Sequence, residues 1–424
     1  MKVRIQGPQS LQGNIEAPRS KAYTHRALLA ALLTHGKTRL EKPLVSDDTK
    51  RTLDAVQTLG GRVQSERNNL LVEGPEEFLV STTPIDCGES GATLRFLTAV
   101  ASISPTETRL TAEPRLAERP ISPLLTALRE LGAKAQAHQT EAGFEISVKG
   151  PLMGGETSLP GDVSSQFVSG LLLAAPLAKS DVIIEIEGRL ESRPYVNMTL
   201  QVQRRHGITI EASENMFRVP AFQEYRPTSH EVPGDFSSIS FLLAATGIAG
   251  QEISVTGLGD YEAEPDSTLL DFLPTIGLKL EKNGDSIAVG RGRVEPFDFE
   301  ASDHPDAVPA LETLACAAHG VSEITGLKRL QYKESNRLET IPRELGKLGA
   351  RISVIENRVR IEGGYGLVGA NLSSHDDHRV AMACSVAGLT AKGETIIDDA
   401  EVVSKSYPDF YSHLAQLGAK LVVE

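Results

Sequence analysis

Pro18-Arg-Ser-Lys21-Ala-Tyr-Thr-His-Arg26 runs straight into Ala27-Leu-Leu-Ala-Ala-Leu-Leu-Thr-His-Gly36, after which Lys37-Thr-Arg-Leu-Glu41 reads as a strand. The apolar run has the composition of a buried helix. Ser20 can cap its start and Gly36 can end it. Two cations, Lys21 and Arg26, fall in the first turns, where free amides and the helix dipole favour an anion. Taken alone, the stretch would serve equally well as an ordinary helix start with solvated cations. Its recurrence along the chain decides the fold.

A helix closed by glycine and followed by a strand returns at Gly60, Gly132, Gly207, Gly277, Gly349 and Gly418, in steps of 72, 75, 70, 72 and 69 residues. Glycine suits each place because it takes the left-handed conformation that lets a strand leave a helix end. An earlier Ala- and Leu-rich helix precedes each: 26–34, 93–101, 166–175, 238–246, 309–319 and 379–389. The chain therefore reads as α/β, with six β-α-β-α-β type units, three in each of two domains. The Pro-rich stretch Tyr225–Gly234 falls midway and reads as a linker. A ligand cleft between the two domains is expected.

With 424 residues the chain is long for one core, which supports two domains. A formal net charge of −13 argues against a general nucleic-acid surface. The N-terminal sequence has no apolar signal region and no run reaches membrane-spanning length, so the cytoplasm is expected. Cys87, Cys316 and Cys384 are too scattered to suggest a disulfide framework or a metal site.

Most candidate chemistry lies at helix starts. Gly88-Glu-Ser-Gly91 is a tight turn with Arg95 one turn further on, and it lacks the spacing of either nucleotide-binding glycine motif. Ser164-Ser165-Gln166 offers two hydroxyls and an amide at one helix start, and Ser192-Arg-Pro-Tyr195 opens another. Asp306 precedes a helix. Lys333, Glu334 and Arg337 are expected within one helical turn, placing a carboxylate for acid–base work among cations. Arg379 opens a late helix, and Lys405 precedes the last. His375 and His378 lack a third metal ligand. Cations at equivalent unit positions in so acidic a protein point to a site for more than one anionic group.

In this order the motifs Pro18-x-Ser-Lys-x-x-x-x-Arg26, Gly88-x-x-Gly-x-x-x-Arg95, Arg119-Pro-Ile, Ser164-Ser-Gln, Ser192-x-Pro-Tyr, Pro305-Asp306, Lys333-Glu-x-x-Arg337, Asp377-His-Arg379 and Lys405 before Tyr-Pro-Asp resemble the 5-enolpyruvylshikimate-3-phosphate synthase family (3-phosphoshikimate 1-carboxyvinyltransferase) over essentially the whole chain. The resemblance implies two inside-out α/β domains, residues 18–232 and residues 1–17 with 233–424, with the active site in the interdomain cleft. It implies transfer of the enolpyruvyl group of phosphoenolpyruvate to the 5-hydroxyl of shikimate 3-phosphate by a cytoplasmic monomer, with no cofactor, metal, nucleic-acid or membrane partner. Ser164, Ser165, Ser192 and Lys333 would surround the shikimate phosphate. Arg26 would hold its carboxylate, with Tyr195 and Gln166 near the ring. Lys21, Gly91, Arg119, Gln166, Arg337, Arg379 and Lys405 would form the phosphoenolpyruvate pocket. Asp306, Glu334 and Lys21 would carry the catalysis, Asp306 taking the hydroxyl proton and Glu334 protonating the methylene.

Ala22 stands where the family usually has Ser, Ala92 where Thr or Ser is usual, and Glu89 where Asn is common. Loss of one hydroxyl at position 22 should weaken shikimate 3-phosphate binding by about 1 kcal/mol. Gly91 is present, so inhibition by glyphosate is expected. The related UDP-N-acetylglucosamine enolpyruvyl transferases are a rival reading, but their loop cysteine has no counterpart in 111–120. A non-catalytic repeat scaffold is a second rival; it gives Asp306 and Glu334 no reason to sit beside cations.

Overall fold

A computed structural model describes residues 1–79, 81, 83–140, 143–261 and 264–424. The chain divides into two compact units: a continuous one, Arg19–Val232, and a discontinuous one, Met1–Pro18 with Pro233–Glu424.

Each unit contains three helix pairs. In the continuous unit these are α1 (Lys21–Leu32) with α2 (Asp47–Thr58), α3 (Gly91–Val100) with α4 (Ser122–Glu130), and α5 (Ser165–Ala174) with α6 (Arg193–Arg205). In the discontinuous unit they are α7 (Phe236–Ala249) with α8 (Leu269–Phe272), α9 (Val308–Ala317) with α10 (Arg337–Lys347), and α11 (His378–Gly388) with α12 (Phe410–Gln416). The first helix of every pair is buried nearly all round, as its lack of a polar face requires. In the continuous unit α3 packs on α5; in the discontinuous unit α7, α9 and α11 pack on one another.

Six four-stranded sheets lie outside these helices, among the described residues. Their plan repeats. Ser229–Glu231 runs parallel to Gly36–Glu41, which pairs antiparallel with Asn69–Gly74, and that strand with Arg62–Glu66. Alternation turns one face inward: Val182, Ile184 and Ile186 are buried while Glu185 and Glu187 are exposed. Helices inside and sheets outside make each unit inside-out.

Two strands leave the unit of the helix that follows them. Leu11–Glu16 precedes α1 but pairs with Gly250–Thr256 in the discontinuous unit. Ser229–Glu231 precedes α7 but pairs with Gly36–Glu41 in the continuous one. The first strand, Val3–Gly7, lies between Gly393–Asp398 and Leu421–Val423, so both chain ends share one sheet.

All six landmark glycines have positive φ, from 81° at Gly207 to 99° at Gly60. The fourth unit departs from the expected plan. Its second helix is only Leu269–Phe272, flanked by 3-10 turns at Pro265–Thr268 and Leu273–Ile276. Pro274 removes an amide that a continuous helix would use.

Candidate active site

Helix caps place the candidate residues. Ser20, Ser90, Ser164, Asp235 and Asp377 each accept a hydrogen bond from an amide of the helix they open, leaving the neighbouring side chains at the helix mouths. The start of each second helix comes close to the start of the first. Lys21 and Asp48 are 27 residues apart in sequence and 2.8 Å apart in space; Asp306 and Lys333 have the same sequence spacing and lie 3.1 Å apart. The two pairs are equivalent with their charges exchanged.

In the continuous unit, Arg26 is buried beneath the start of α1. Its Nε donates to Thr199 Oγ1 at 2.7 Å, Nη1 to the Ala22 carbonyl at 2.8 Å, and Nη2 to the Tyr195 carbonyl at 3.0 Å and Ser169 Oγ at 3.3 Å. The Phe96 ring lies 5.0 Å from the guanidinium carbon. These hydroxyl and carbonyl acceptors fix the planar guanidinium in place. Arg95 donates to Gln166 Oε1 at 2.7 Å. Gly91 opens α3 with bare backbone: a Cβ there would lie 3.1 Å from Arg95 Nη1 and 3.2 Å from Arg119 Nη1. Gly91, Arg95, Arg119 and Gln166 are thus one cluster. Ser164 caps α5 and Ser165 is its first residue, both beside Gln166. Ser192, buried, holds a left-handed φ of 54° before α6.

The discontinuous unit holds a denser cluster. Asp306 Oδ1 lies 2.9 Å from Arg337 Nη1, 3.1 Å from Lys333 Nζ and 3.4 Å from Arg379 Nε. Glu334 Oε2 accepts from Arg337 Nη2 at 2.6 Å. Arg379 Nη1 also donates to the carbonyls of Ser237 at 3.0 Å and Asp306 at 3.1 Å. Burial alone would raise the Asp306 pKa, but Arg379, Lys333 and Arg337 hold it well below the usual carboxylate range. Burial lowers Lys333 to about 8, opposed by Asp306. Lys405 Nζ donates to the Asp376 carbonyl at 2.7 Å.

One expectation is corrected. Lys333 and Glu334 share no helical turn with Arg337, because Lys333 is extended (φ −85°, ψ −168°) and α10 begins only at Arg337. Asp377 supplies the cause: its Oδ2 accepts from the Ser335 amide at 3.2 Å and the Ser335 hydroxyl at 3.0 Å, which draws the segment out of helix. Sequence reading named Asp377 only as part of a motif, yet it is fully buried and holds Arg337 as well. Asp48 was missed too, although the 27-residue step from Lys21 would have found it. His375 meets Glu344 Oε1 at 2.8 Å. Among the described residues no group of three His, Cys, Asp or Glu is placed to hold a metal. No helix there is long and apolar enough to cross a membrane.

Fold and cluster together define an anion-handling α/β protein with carboxylates set among fixed cations. Residues 5–414 match the model of EPSP synthase (3-phosphoshikimate 1-carboxyvinyltransferase). The chain belongs to that family. It is 37% identical to the 3-phosphoshikimate 1-carboxyvinyltransferase of Methanocorpusculum labreanum, over 99% of both chains. It is 39% identical to that of Halobacterium salinarum strain R1, over 97% of this chain and 98% of the relative. An EPSP synthase structure from Acinetobacter baumannii superposes with a TM-score of 0.82 at 24% identity, each chain covered completely. The enolpyruvyl transferase NikO from Streptomyces tendae gives 0.81 at 19% identity, covering 99% of this chain and 98% of its own. Those two likenesses establish the fold.

Proposed function

We propose that the chain transfers the enolpyruvyl group of phosphoenolpyruvate to the 5-hydroxyl of shikimate 3-phosphate, releasing phosphate, as a cytoplasmic monomer. The observation that carries this reading is Asp306 ringed by Lys333, Arg337 and Arg379, with Glu334 on the same Arg337. Two carboxylates must move two protons while anions arrive and leave, and this cluster supplies both kinds of group.

Glu334 protonates the phosphoenolpyruvate methylene, leaving a cationic centre at the enol carbon. The 5-hydroxyl oxygen attacks that carbon as Asp306 takes its proton. The tetrahedral intermediate then expels phosphate and returns a methyl proton to the Glu334 carboxylate, which restores the double bond and the acid. Fixed cations stabilise the leaving phosphate. Lys21, Gly91, Arg119, Gln166, Arg337, Arg379 and Lys405 hold phosphoenolpyruvate. Ser164, Ser165, Ser192 and Lys333 hold the shikimate phosphate, while Arg26 and Tyr195 hold the ring and its carboxylate.

A carboxylate so strongly held is a poor base in the free protein. Incoming anions share Lys333, Arg337 and Arg379, so the proton affinity of Asp306 rises once both substrates are bound. The base is therefore weak until loading is complete.

NikO shows that this fold also occurs under another enolpyruvyl transferase name, so the fold alone does not choose the acceptor. Phosphate release from phosphoenolpyruvate, measured with shikimate 3-phosphate and separately with UDP-N-acetylglucosamine, tests the choice. Release with the sugar nucleotide alone would overturn this reading, and release with neither would favour the scaffold. Glu334→Gln and Asp306→Ala should each lose most of the rate while still binding shikimate 3-phosphate.

A further inference from the structure

Immediately before α11 the backbone does something unusual. His375 and Asp376 both lie in the left-handed region, with φ of 53° and 56°. Neither is glycine. Two consecutive residues of this kind persist only where the surroundings fix them, and such strain collects at sites that need exact geometry.

Glu344 is the fixing group. It lies on α10 with its side chain fully buried. Its Oε1 meets His375 Nε2 at 2.8 Å; its Oε2 accepts from the Ser373 amide at 3.0 Å and Lys347 Nζ at 2.7 Å. Two of these contacts grip the turn on either side of Ser374. Ser373 Oγ adds a third by accepting from the His375 amide at 3.2 Å.

What the turn presents is functional. The Asp376 carbonyl receives Lys405 Nζ, and the next residue, Asp377, holds Arg337 and caps the helix that carries Arg379. A turn relaxed to ordinary φ would swing that carbonyl away and shift the Asp377 carboxylate.

We propose that Glu344 and His375 are positioning residues for the reaction. They clamp a strained left-handed turn so that Lys405, Arg337 and Arg379 stand ready for the anionic groups of phosphoenolpyruvate. This rests on the assignment of Lys405 and Arg379 to phosphoenolpyruvate made above.

The test uses two truncations that differ only in backbone cost. His375→Ala and His375→Gly both delete the clamped side chain, but only glycine carries positive φ without penalty. Steady-state phosphate release should show the Michaelis constant for phosphoenolpyruvate raised about tenfold in His375→Ala. In His375→Gly it should recover to within about threefold of the parent. The constant for shikimate 3-phosphate should stay put in both. Equal impairment in the two variants, or none in either, overturns the clamp. Glu344→Gln should behave like His375→Ala, and adding Asp376→Gly should recover it. Amide hydrogen exchange across 374–379 reads the turn without catalysis: exchange should quicken in His375→Ala, and unchanged exchange also overturns the clamp. Lys405→Met separates the two ideas, because a phosphoenolpyruvate constant that does not move there refutes the binding assignment and leaves the exchange result to judge the clamp.

Discussion

Arg337 presents Nε and Nη2 to the two carboxylate oxygens of Asp377, at 2.8 and 3.1 Å, and both side chains are fully buried. The same guanidinium reaches Asp306 and Glu334, so one planar group organises three carboxylates. Lysine cannot reproduce that fork. Arg337→Lys should lose about 3 kcal/mol or more of stability in denaturant unfolding, since one buried charge is left poorly paired. Its rate of phosphate release should fall further than any single-carboxylate variant's. Wild-type-like stability would show that the fork is dispensable.

Asp306 and Lys333 should leave opposite marks on pH profiles. Asp306 stays ionised in the free protein to well below the ordinary carboxylate value, so kcat/KM should show no acid limb from it near pH 4. Lys333, at about 8, should produce an alkaline limb in kcat/KM as it loses its proton. The sign for stability is the reverse. The unfolded lysine, at 10.5, binds more protons between those values, so the burial penalty of Lys333 is relieved and its contribution to stability rises with pH there. In Lys333→Arg the limb should move beyond the accessible range. A limb still near 8 would assign it to another group.

The capping, patterning and glycine signals that define the six units are local, which is why the repeat could be read from the chain. Each landmark glycine needed only its own φ. The partners that tune the site are not local. Thr199 holds Arg26 across 173 residues and Asp377 holds Arg337 across 40. No periodicity marks such pairs. The misplaced turn at Lys333 has the same origin, because Asp377 competes for Ser335 against the local helix preference.

Gly91→Ala should raise the Michaelis constant for phosphoenolpyruvate and weaken inhibition by glyphosate. The new methyl would sit 3.1 and 3.2 Å from the guanidinium nitrogens of Arg95 and Arg119 and press on both. The shikimate 3-phosphate constant should change much less. Parallel losses for both substrates would mean that the methyl disturbs α3 as a whole.

Ala22→Ser restores a hydroxyl beside Arg26, whose Nη1 already donates to the residue 22 carbonyl. Equilibrium binding of shikimate 3-phosphate should tighten by about 1 kcal/mol, close to fivefold. An unchanged dissociation constant would sink this account of position 22.

A buried chain in the continuous unit should make it acid-sensitive. His206 Nδ1 lies 2.9 Å from the Arg226 carbonyl, which only accepts, so His206 Nε2 is bare and accepts from His230 Nε2 at 2.9 Å. His230 Nδ1 then accepts from the Tyr23 hydroxyl at 3.0 Å. Protonating His206 would set two N–H groups face to face, and protonating His230 would take from the Tyr23 hydroxyl its acceptor. Burial lowers His206 to about 4; burial with the His206 and Arg205 charges lowers His230 to about 3. Unfolded histidines protonate near 6.5, so below that pH the unfolded chain gains protons that the folded one refuses. Stability should fall toward acid by about 1.4 kcal/mol per pH unit for each such histidine. His230→Gln should flatten the slope, and an unaltered slope would place the sensitivity elsewhere.

Val3–Gly7 is the third strand of a sheet whose neighbours are residues 393–398 and 421–423, and the Lys2 and Glu424 backbones exchange two hydrogen bonds of 2.8 Å. During synthesis Val3–Gly7 therefore waits for Leu421–Val423. The continuous unit has all its own residues once Val232 has left the ribosome, whereas the discontinuous unit must wait for the remaining chain, about 10–40 s at ordinary elongation rates. Over that interval Val3 and Ile5, buried in the finished sheet, lack their neighbours. The residues of the continuous unit are thus all made before the sheet that pairs Val3–Gly7 with Leu421–Val423 can be completed.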